Sequence, residues 1–382
     1  MAQPTTNNDY GESLTVLAPG RINLIGEHTD YNMGYVLPAA IDKCITFQFQ
    51  KIPESRLATF YSTTNDRELK VSLDAIARST DPWENYLLGI LYELTKRSGN
   101  LKGFTCRISS DLPIGSGLSS SAALECGLAF GLNKLYSLEL DPWDLITLSR
   151  DAEHHYVGMQ CGIMDQFASV MGRENQVMLL DCRSLEYSHH ILNLHPYKFL
   201  LLNSRVSHSL AESEYNLRRA ECEEALAIIR EGHPNVRSLR DLSPTVLLEY
   251  RNHLSPVLYN RCTYVLAENE RVLAAVQAIE KDEPATLGAL LYASHEGLQH
   301  RYQVSCRELD FLVDFTREIP DVLGARMMGG GFGGCTLNLI HQEAIETFVQ
   351  DITEAYRLEF GLQLVAFEGV PSRGVHLLPT SS

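Results

Sequence analysis

The stretch DLPIGSGLSSSAALE, residues 111–125, decides the fold. It follows GFTCRIS (103–109), where alternating apolar residues predict a strand. It runs into LSSSAALECGLAFGLNKLY (118–136), an apolar segment without proline that predicts a buried helix. A glycine turn between a strand and a helix N-terminus makes an anion site, because unpaired amides point outward and the helix dipole is positive there. The serine hydroxyls add donors, so the stretch predicts a phosphate-binding turn.

The same residues also fit a tight turn into an alanine-rich core helix, and their spacing alone leaves this alternative open. The stretch is not a Walker A sequence, because no Gly-Lys-Ser/Thr follows the glycines. It is not a dinucleotide fingerprint either, because Ser120 stands at the third glycine position. A phosphate site here is therefore of another kind.

A second polar stretch, RINLIGEHTDYNMG (21–34), lies near the N-terminus. Charged residues are common in solvated loops, but here they alternate with Ile22, Leu24 and Ile25, so part of the stretch should be buried. Buried charges need partners. Carboxylate, imidazole and amide groups at this spacing suit the hydroxyls of a sugar or polyol, which favours a ligand site. The polar candidates are Arg21, Asn23, Glu27, His28, Asp30 and Asn32.

The remaining pattern predicts further elements and two more acids of interest. Trp83 is expected in the core or at its rim rather than stacked on a base. Glu153 stands near the end of a predicted helix and could face the phosphate turn. Asp165 is a lone acid in an apolar stretch, a setting that suits either a first-turn charge or a catalytic carboxylate. Predicted strands are 14–20 (ended by Pro19-Gly20), 36–50, 176–182 and 197–204, and predicted helices are 83–97, 142–158 and 208–232.

Composition excludes several classes of protein. The 382 residues are enough for two domains, and a net charge of −16 argues against nucleic acid or an anionic membrane as partner. The nine scattered cysteines form no Cys-x-x-Cys pair, which indicates reduced thiols. No apolar run reaches membrane-spanning length. We therefore expect a cytoplasmic protein, and a monomer.

Three blocks stand in order along the chain: GRINLIGEHTDYN, LPIGSGLSSSAALE and MGGGFGGCT. Together they resemble the GHMP kinases, and residues 21–32 are similar to the signature of the galactokinase family. CGIMDQF, LLDCRSLE and HSLAESEYNLRRAECE extend the resemblance over most of the chain. It implies a two-domain α+β fold, with an N-terminal domain (1–195) of the ribosomal protein S5 type, a C-terminal GHMP-type domain (196–382), and an active site in the cleft between them.

The resemblance also implies a reaction, in which the γ-phosphoryl group of ATP moves to the anomeric hydroxyl of α-D-galactose. Asp165 matches the catalytic aspartate, with Arg21 as the cation beside it, and Ser121 and Glu153 match Mg²⁺ ligands. The matching sugar-binding positions are Glu27, His28, Thr29, Asp30, Gly162 and Tyr215. The matching phosphate-loop positions are Gly115, Ser116, Gly117, Leu118, Ser119, Ser120 and Ser121.

Two alternatives remain within this fold. One changes the sugar, to another hexose, a uronate or N-acetylgalactosamine; Thr29 within EHTDYN favours galactose. The other is a non-catalytic sensor of sugar and ATP, in which the Ser-Ala pair after the serine run would be lost. Ser121-Ala122, Asp165 and Arg21 are all present, which favours an enzyme.

Overall fold

The structure is a computed structural model, and it describes residues 13–98, 101–113, 116–207 and 211–379. Its N-terminal half combines a sheet with helices packed on it, and it also contains a separate small sheet of three strands. The strands are β1 Ser13–Asn23, β2 Tyr35–Val36, β3 Pro38–Ile52, β4 Leu57–Ser62, β5 Arg67–Ser72, β6 Gly103–Ser110, β7 Gln176–Asp181 and β8 Tyr187–Ile191. The helices are α1 Pro82–Ser98, α2 Ser120–Tyr136, α3 Pro142–Ala152 and α4 Met164–Met171.

The C-terminal half contains a second large sheet, in which every strand pairing is antiparallel, and the remaining α-helices. Its strands are β9 Tyr197–Ser207, β10 Val322–Met327, β11 Gly333–His341, β12 Val365–Glu368 and β13 His376–Leu377. Its helices are α5 Ala211–Gly232, α6 Pro244–Glu249, α7 Pro256–Glu280, α8 Pro284–Glu296, α9 Arg307–Thr316 and α10 Ile345–Phe360. The predicted start of α5, residues 208–210, lies outside the described residues.

Among the described residues the first sheet has the order β13-β1-β3-β6-β4-β5 and the second has the order β10-β11-β9-β12. β9 therefore begins the second sheet, whereas β13 returns to the first sheet and pairs with β1, with Val16 opposite Leu377. The α+β class expected from the sequence is confirmed. The domain limits at residues 195 and 196 stay a prediction.

Two glycines place α2 close to the first sheet. A Cβ atom on Gly127 would lie 2.2 Å from the ring of Phe47, and one on Gly131 would lie 2.2 Å from the ring of Phe49. Glycine at these two positions, one helical turn apart, lets the helix face settle onto the aromatic rings. The N-terminus of α2 is thereby fixed next to β1, where the candidate site lies.

The predicted end of the first strand is wrong, and one predicted helix contains an irregular turn. The first strand does not end at Pro19-Gly20, because β1 continues to Asn23 through a register shift between Pro19 and Arg21. Such an irregularity accommodates a proline, which has no N–H to donate to the sheet. The helix predicted over 142–158 is confirmed, with Pro142 at its start and Gly158 as its cap, but its last turn, Glu153–Val157, is π-helical. The site residues Arg21 and Glu153 lie in these two irregular segments.

Candidate active site

The carboxylate of Asp165, in the first turn of α4, forms a two-pronged salt bridge with Arg21 on β1. Arg21 Nε donates to Oδ1 at 2.8 Å, and Nη2 donates to Oδ2 at 3.0 Å. The Arg21 side chain is 5% exposed and that of Asp165 is 29% exposed. The pair is held rigidly on the protein side, and the carboxylate still faces a cleft. The sequence expected these residues side by side; their catalytic role stays a prediction.

Arg21 also fixes the predicted phosphate turn. Its backbone N–H donates to the carbonyl of Leu118 at 3.0 Å, and its Nη1 donates to the carbonyl of Gly117 at 2.5 Å. Gly117 has a φ of +70°, which favours glycine. The turn is therefore bonded to the same side chain that holds Asp165.

The turn leads into α2, which begins at Ser120, and the described residues place no acid in the first turn of that helix. Its positive dipole end and unpaired amides remain available for an anion. The Ser116 hydroxyl donates to the Pro113 carbonyl at 2.7 Å, so it supports the turn itself. Gly115 lies outside the described residues.

Two cavities meet at Asp165 in the described part of the chain. A small cavity of about 50 Å³ lies on the side of the signature 21–34. An open cavity of about 320 Å³ lies over the phosphate turn, and residues 116–121 and Glu153 line it. The residues that line both cavities are Arg21, Cys161, Asp165, Tyr215 and Gly330. The sugar-binding candidates that line the small cavity are Glu27, His28, Asp30, Gly162 and Tyr215.

Glu27 is held on both carboxylate oxygens. Asn23 Nδ2 donates to Oε2 at 2.8 Å, and the Gly329 N–H donates to Oε1 at 2.9 Å. Arg326 on β10 forms a fully buried salt bridge with it. Burial raises the pKa of Glu27, and Arg326 and the Gly329 amide oppose that rise. Glu27 therefore joins the signature to the glycine-rich segment after β10.

His28 and Tyr215 form one wall of the small cavity. His28 has a left-handed backbone with a φ of 60°. Its Nδ1 lies 2.8 Å from the hydroxyl of Tyr31, and its Nε2 lies 3.2 Å from the carbonyl of Gly330. Burial lowers the pKa of His28 to about 3, so the ring is neutral at pH 7. The Tyr215 ring lies 5.2 Å from the His28 ring.

Asp30 and Gly162 both line the small cavity and are in direct contact with each other. A Cβ atom on Gly162 would lie 1.8 Å from Asp30 Oδ2, so a larger residue would displace the carboxyl group. Burial, followed by the negative charge of Asp165, raises the pKa of Asp30 to about 6. Asp30 is therefore a poorly solvated carboxyl whose ionised form gains from hydroxyl donors of a ligand.

Thr29 lies elsewhere. Its hydroxyl is 2.7 Å from the carbonyl of Gly26 and 2.6 Å from that of Tyr35, and it is not among the described residues that line the small cavity. Its side chain therefore shapes the turn that carries Asp30.

Ser121 and Glu153 lie together on the wall of the open cavity and share a hydrogen bond. Gln166 Nε2 donates to Glu153 Oε2 at 2.8 Å, and the Cys161 thiol donates to the same oxygen at 3.3 Å. Burial, followed by the charge of Asp165, raises the pKa of Glu153 to about 7. A hydroxyl and a poorly solvated carboxyl are oxygen donors that fit a hard cation such as Mg²⁺.

Sequence reasoning missed several residues of this region. Glu125 is fully buried beside Glu153, and its pKa is well above the ordinary value because of burial and then the Glu153 charge. Arg326 lies far from the signature in sequence and gave no motif. Trp83 was singled out in the sequence, but only as a core or rim residue. With Tyr86 it lines an apolar cavity of about 280 Å³ that Ser120 and Ser121 also line. That cavity adjoins the open one, so Trp83 is both a rim residue and a cavity wall.

Comparison with known proteins identifies the family. The model for the GHMP kinases N terminal domain matches residues 85–173, and the GHMP kinases C terminal model matches 275–358. The galactokinase galactose-binding signature matches residues 7–51. The galactokinase of Thermotoga maritima is 41% identical over 95% of this chain and 99% of its own length. This chain belongs to the galactokinase family of GHMP kinases.

Other relatives agree with this family. The galactokinase of Thermosipho africanus is 40% identical over 95% of this chain and 99% of its own. The structure of Lactococcus lactis galactokinase complexed with galactose has a TM-score of 0.92, with 33% identity and 97% of each chain covered. The Methanococcus jannaschii mevalonate kinase, at 18% identity over 95% of this chain and all of its own, shares the fold with a TM-score of 0.67.

The described residues contain no helix with the length and apolar character to cross a membrane. They also contain no group of three or more histidine, cysteine, aspartate or glutamate side chains that could hold a metal ion. A cation at Ser121 and Glu153 would therefore need oxygen ligands from the nucleotide and from water.

Proposed function

We propose that this chain transfers the γ-phosphoryl group of ATP to the O1 hydroxyl of α-D-galactose, giving galactose 1-phosphate and ADP. One observation carries the proposal: Asp165, paired with Arg21, lies where the small cavity meets the open cavity. A hydroxyl in the first cavity and a phosphoryl group in the second would meet at that carboxylate. Membership of the galactokinase family, and the likeness to a galactokinase complexed with galactose, support galactose as the acceptor.

The polar lining of the small cavity suits the hydroxyls of a sugar. The carboxyl of Asp30 and the ring of His28 line it, together with Glu27, whose carboxylate is already bonded by protein groups. Sugar hydroxyls would donate to Asp30, and a substrate that lacks the matching hydroxyl would leave this buried carboxyl unpaired. Such a site discriminates strongly between sugars.

The open cavity suits the phosphates of ATP and the apolar cavity suits its base. The α2 N-terminus offers amides and a positive dipole, and Ser120 and Ser121 connect the two cavities. Ser121 and Glu153 would hold Mg²⁺, which when bound neutralises charge on the phosphates.

The described geometry supports specific roles for the pair at the junction. Asp165 would orient the O1 hydroxyl and accept its proton as the new O–P bond forms and the bond to ADP breaks. Arg21 would hold that carboxylate in place and neutralise charge that develops on the phosphoryl group. Positioning and charge stabilisation supply most of the catalysis in phosphoryl transfer.

A coupled ADP-release assay with Mg-ATP tests the proposal across galactose, N-acetylgalactosamine, galacturonate, arabinose, glucose, homoserine and mevalonate. We expect turnover with galactose and its close deoxy analogues. Turnover with a different sugar would support the proposed phosphoryl transfer and reject galactose as the substrate. If none of them is phosphorylated but galactose and ATP still raise the melting temperature, the non-catalytic sensor of sugar and ATP would be favoured.

We further propose a cellular compartment and an oligomeric state. All nine cysteines lie within the described residues as free thiols, which fits a reducing compartment such as the cytoplasm. The expected monomer stays a prediction, which analytical ultracentrifugation would test.

A further inference from the structure

The hydroxyl of Ser119 donates a hydrogen bond to Asp165 Oδ2. That oxygen also accepts from Arg21 Nη2 at 3.0 Å, whereas Oδ1 accepts from Arg21 Nε at 2.8 Å. Each carboxylate oxygen has two acceptor sites. Among the described residues, Oδ2 therefore has both sites filled and Oδ1 keeps one, and these contacts make the two oxygens of the carboxylate unequal.

We propose that Ser119 is a positioning residue for Asp165. Its hydroxyl occupies the remaining acceptor site of Oδ2, so that Oδ1 receives the proton of the acceptor hydroxyl. This inference rests on the proposed function. It differs from the expectation drawn from the sequence, in which Ser119 belongs to the phosphate loop as a ligand of ATP. In the step it serves, the O1–H proton passes to Oδ1, O1 bonds to the γ-phosphorus, and ADP leaves with the electron pair of the broken bond. The proton of Ser119 stays on its own oxygen.

The backbone at Ser119 supports a role beyond capping the helix. Ser119 is the N-cap residue of α2, yet its φ of 55° and ψ of 49° are left-handed, and the described residues show no capping hydrogen bond from its side chain. A serine at an N-cap ordinarily has an extended backbone and accepts from a first-turn amide. Ser119 does not make that bond, and its backbone adopts the left-handed conformation that L residues disfavour. Its hydroxyl is directed to Asp165 instead.

The other end of the same helix provides a matched control. Ser137, the C-cap residue of α2, has a φ of 50° and a ψ of 52°, nearly those of Ser119. Its backbone N–H donates to the carbonyl of Asn133, which is the ordinary use of a left-handed residue at a helix C-terminus. Ser119 and Ser137 therefore share residue type, backbone conformation and helix, and they differ in the contact to Asp165.

The test compares Ser119→Ala and Ser119→Gly with Ser137→Ala and Ser137→Gly. Both Ser119 variants should lower kcat by roughly 10- to 100-fold, as small misplacements of a reacting group do. The KM for ATP should stay within about threefold. Both Ser137 variants should keep the kcat of the wild type.

The Ser119→Gly variant separates the effect of the hydroxyl from the effect of the backbone conformation. If Ser119→Gly restores the kcat of the wild type while Ser119→Ala does not, the left-handed backbone is what matters and the proposal is wrong. If either variant raises the KM for ATP with kcat unchanged, Ser119 is a phosphate ligand and the proposal is again wrong.

A double variant tests the coupling to Asp165. In an Asp165→Asn background, Ser119→Ala should have little further effect on the residual rate, because the two residues act as one unit. An equal loss in both backgrounds would overturn the proposal. All rates are measured with whichever sugar the wild type phosphorylates, so a wrong sugar assignment leaves the test of Ser119 intact. A wild type that phosphorylates no sugar would reject both proposals.

Discussion

Arg326 and Glu27 form a salt bridge in which the side chains are 0% and 1% exposed. Arg326 also donates through Nη1 to the carbonyl oxygens of Asn23 at 2.9 Å and Leu24 at 3.1 Å. One side chain from the second sheet therefore holds both the carboxylate and the backbone of the sugar signature. The shape of the small cavity depends on this contact between the two halves of the chain.

Removing one partner of this pair should be far more damaging than removing both. Arg326→Met leaves the Glu27 carboxylate buried without its cation, and we expect a loss of about 3–5 kcal/mol in the free energy of unfolding. Adding Glu27→Gln should recover part of that loss. Urea denaturation of the two single variants and the double variant measures the coupling, and purely additive losses would show that the pair is not a unit.

Asp165→Asn should lower kcat by roughly 10²- to 10⁴-fold, because the amide cannot take the proton of the acceptor hydroxyl. ATP binding, measured by calorimetry, should remain close to that of the wild type. Asp351→Asn, an exposed change on α10, serves as the control and should leave kcat unaltered. A rate near that of the wild type in Asp165→Asn would remove this carboxylate from the mechanism.

Tyr215→Phe should mainly raise the KM for the sugar, by roughly three- to tenfold, if its hydroxyl bonds to the substrate. The ring packs 5.2 Å from His28 and 5.5 Å from Tyr31, so the phenyl group should keep the cavity wall in place. Steady-state kinetics with the sugar varied at saturating ATP gives the constant. Tyr92→Phe, at a side chain that is 40% exposed, is the control. An unchanged KM would assign Tyr215 to packing.

Asp30→Asn should stabilise the sugar-free protein above pH 6. Burial raises the pKa of Asp30 from 3.8 to about 6, so the folded protein binds this proton more tightly than the unfolded chain does. The ionised group therefore destabilises the fold above pH 6, by about 3 kcal/mol, and the penalty disappears as pH falls towards 4.

The neutral asparagine avoids that penalty, so the difference in melting temperature between Asp30→Asn and wild type should be largest near pH 8 and vanish near pH 4. Thermal unfolding at several pH values measures it, with Asp351→Asn as a control whose difference from wild type stays constant. A difference independent of pH would show that Asp30 titrates normally. The same variant should also lose affinity for the sugar.

Trp83→Ala should raise the KM for ATP by roughly tenfold and leave the KM for the sugar unchanged, because base–aromatic contacts of this kind contribute about 1–3 kcal/mol. The Trp83 ring lines the apolar cavity and lies 5.0 Å from the guanidinium of Arg67. Trp83→Phe, which retains an aromatic wall, should keep most of the ATP affinity. Equal increases in both KM values would place the base elsewhere.

Much of this architecture follows from local pattern. The strand before residue 111, the helix after residue 119 and the first-turn position of Asp165 are all found where alternation and apolar spacing predict them. Local pattern failed at Pro19-Gly20, because a proline and a glycine ordinarily end a strand. Here the pairing of β1 with β3 continues past them after a shift in register.

The candidate site was predictable only where its residues form a motif. Glu27 and Asp30 stand in a dense polar stretch, so their importance is visible in the sequence. Arg326 belongs to no motif in the sequence. Its role in holding the signature depends on its contact with Asn23, which lies 303 residues away in the chain. The bond from Ser119 to Asp165 is likewise a property of the folded chain, since nothing in a run of serines shows which hydroxyl reaches a carboxylate.

The pairing of β13 with β1 has a consequence for how the protein is made. The strand beyond β1 in the first sheet is His376–Leu377, which pairs with Val16 and Leu17, so this part of the outer edge of β1 stays unpaired on the ribosome until those residues have been translated. An unpaired strand edge is a template for association between nascent chains. Synthesis of the C-terminal half is therefore the interval in which a chaperone that shields strand edges would most improve the yield of active protein.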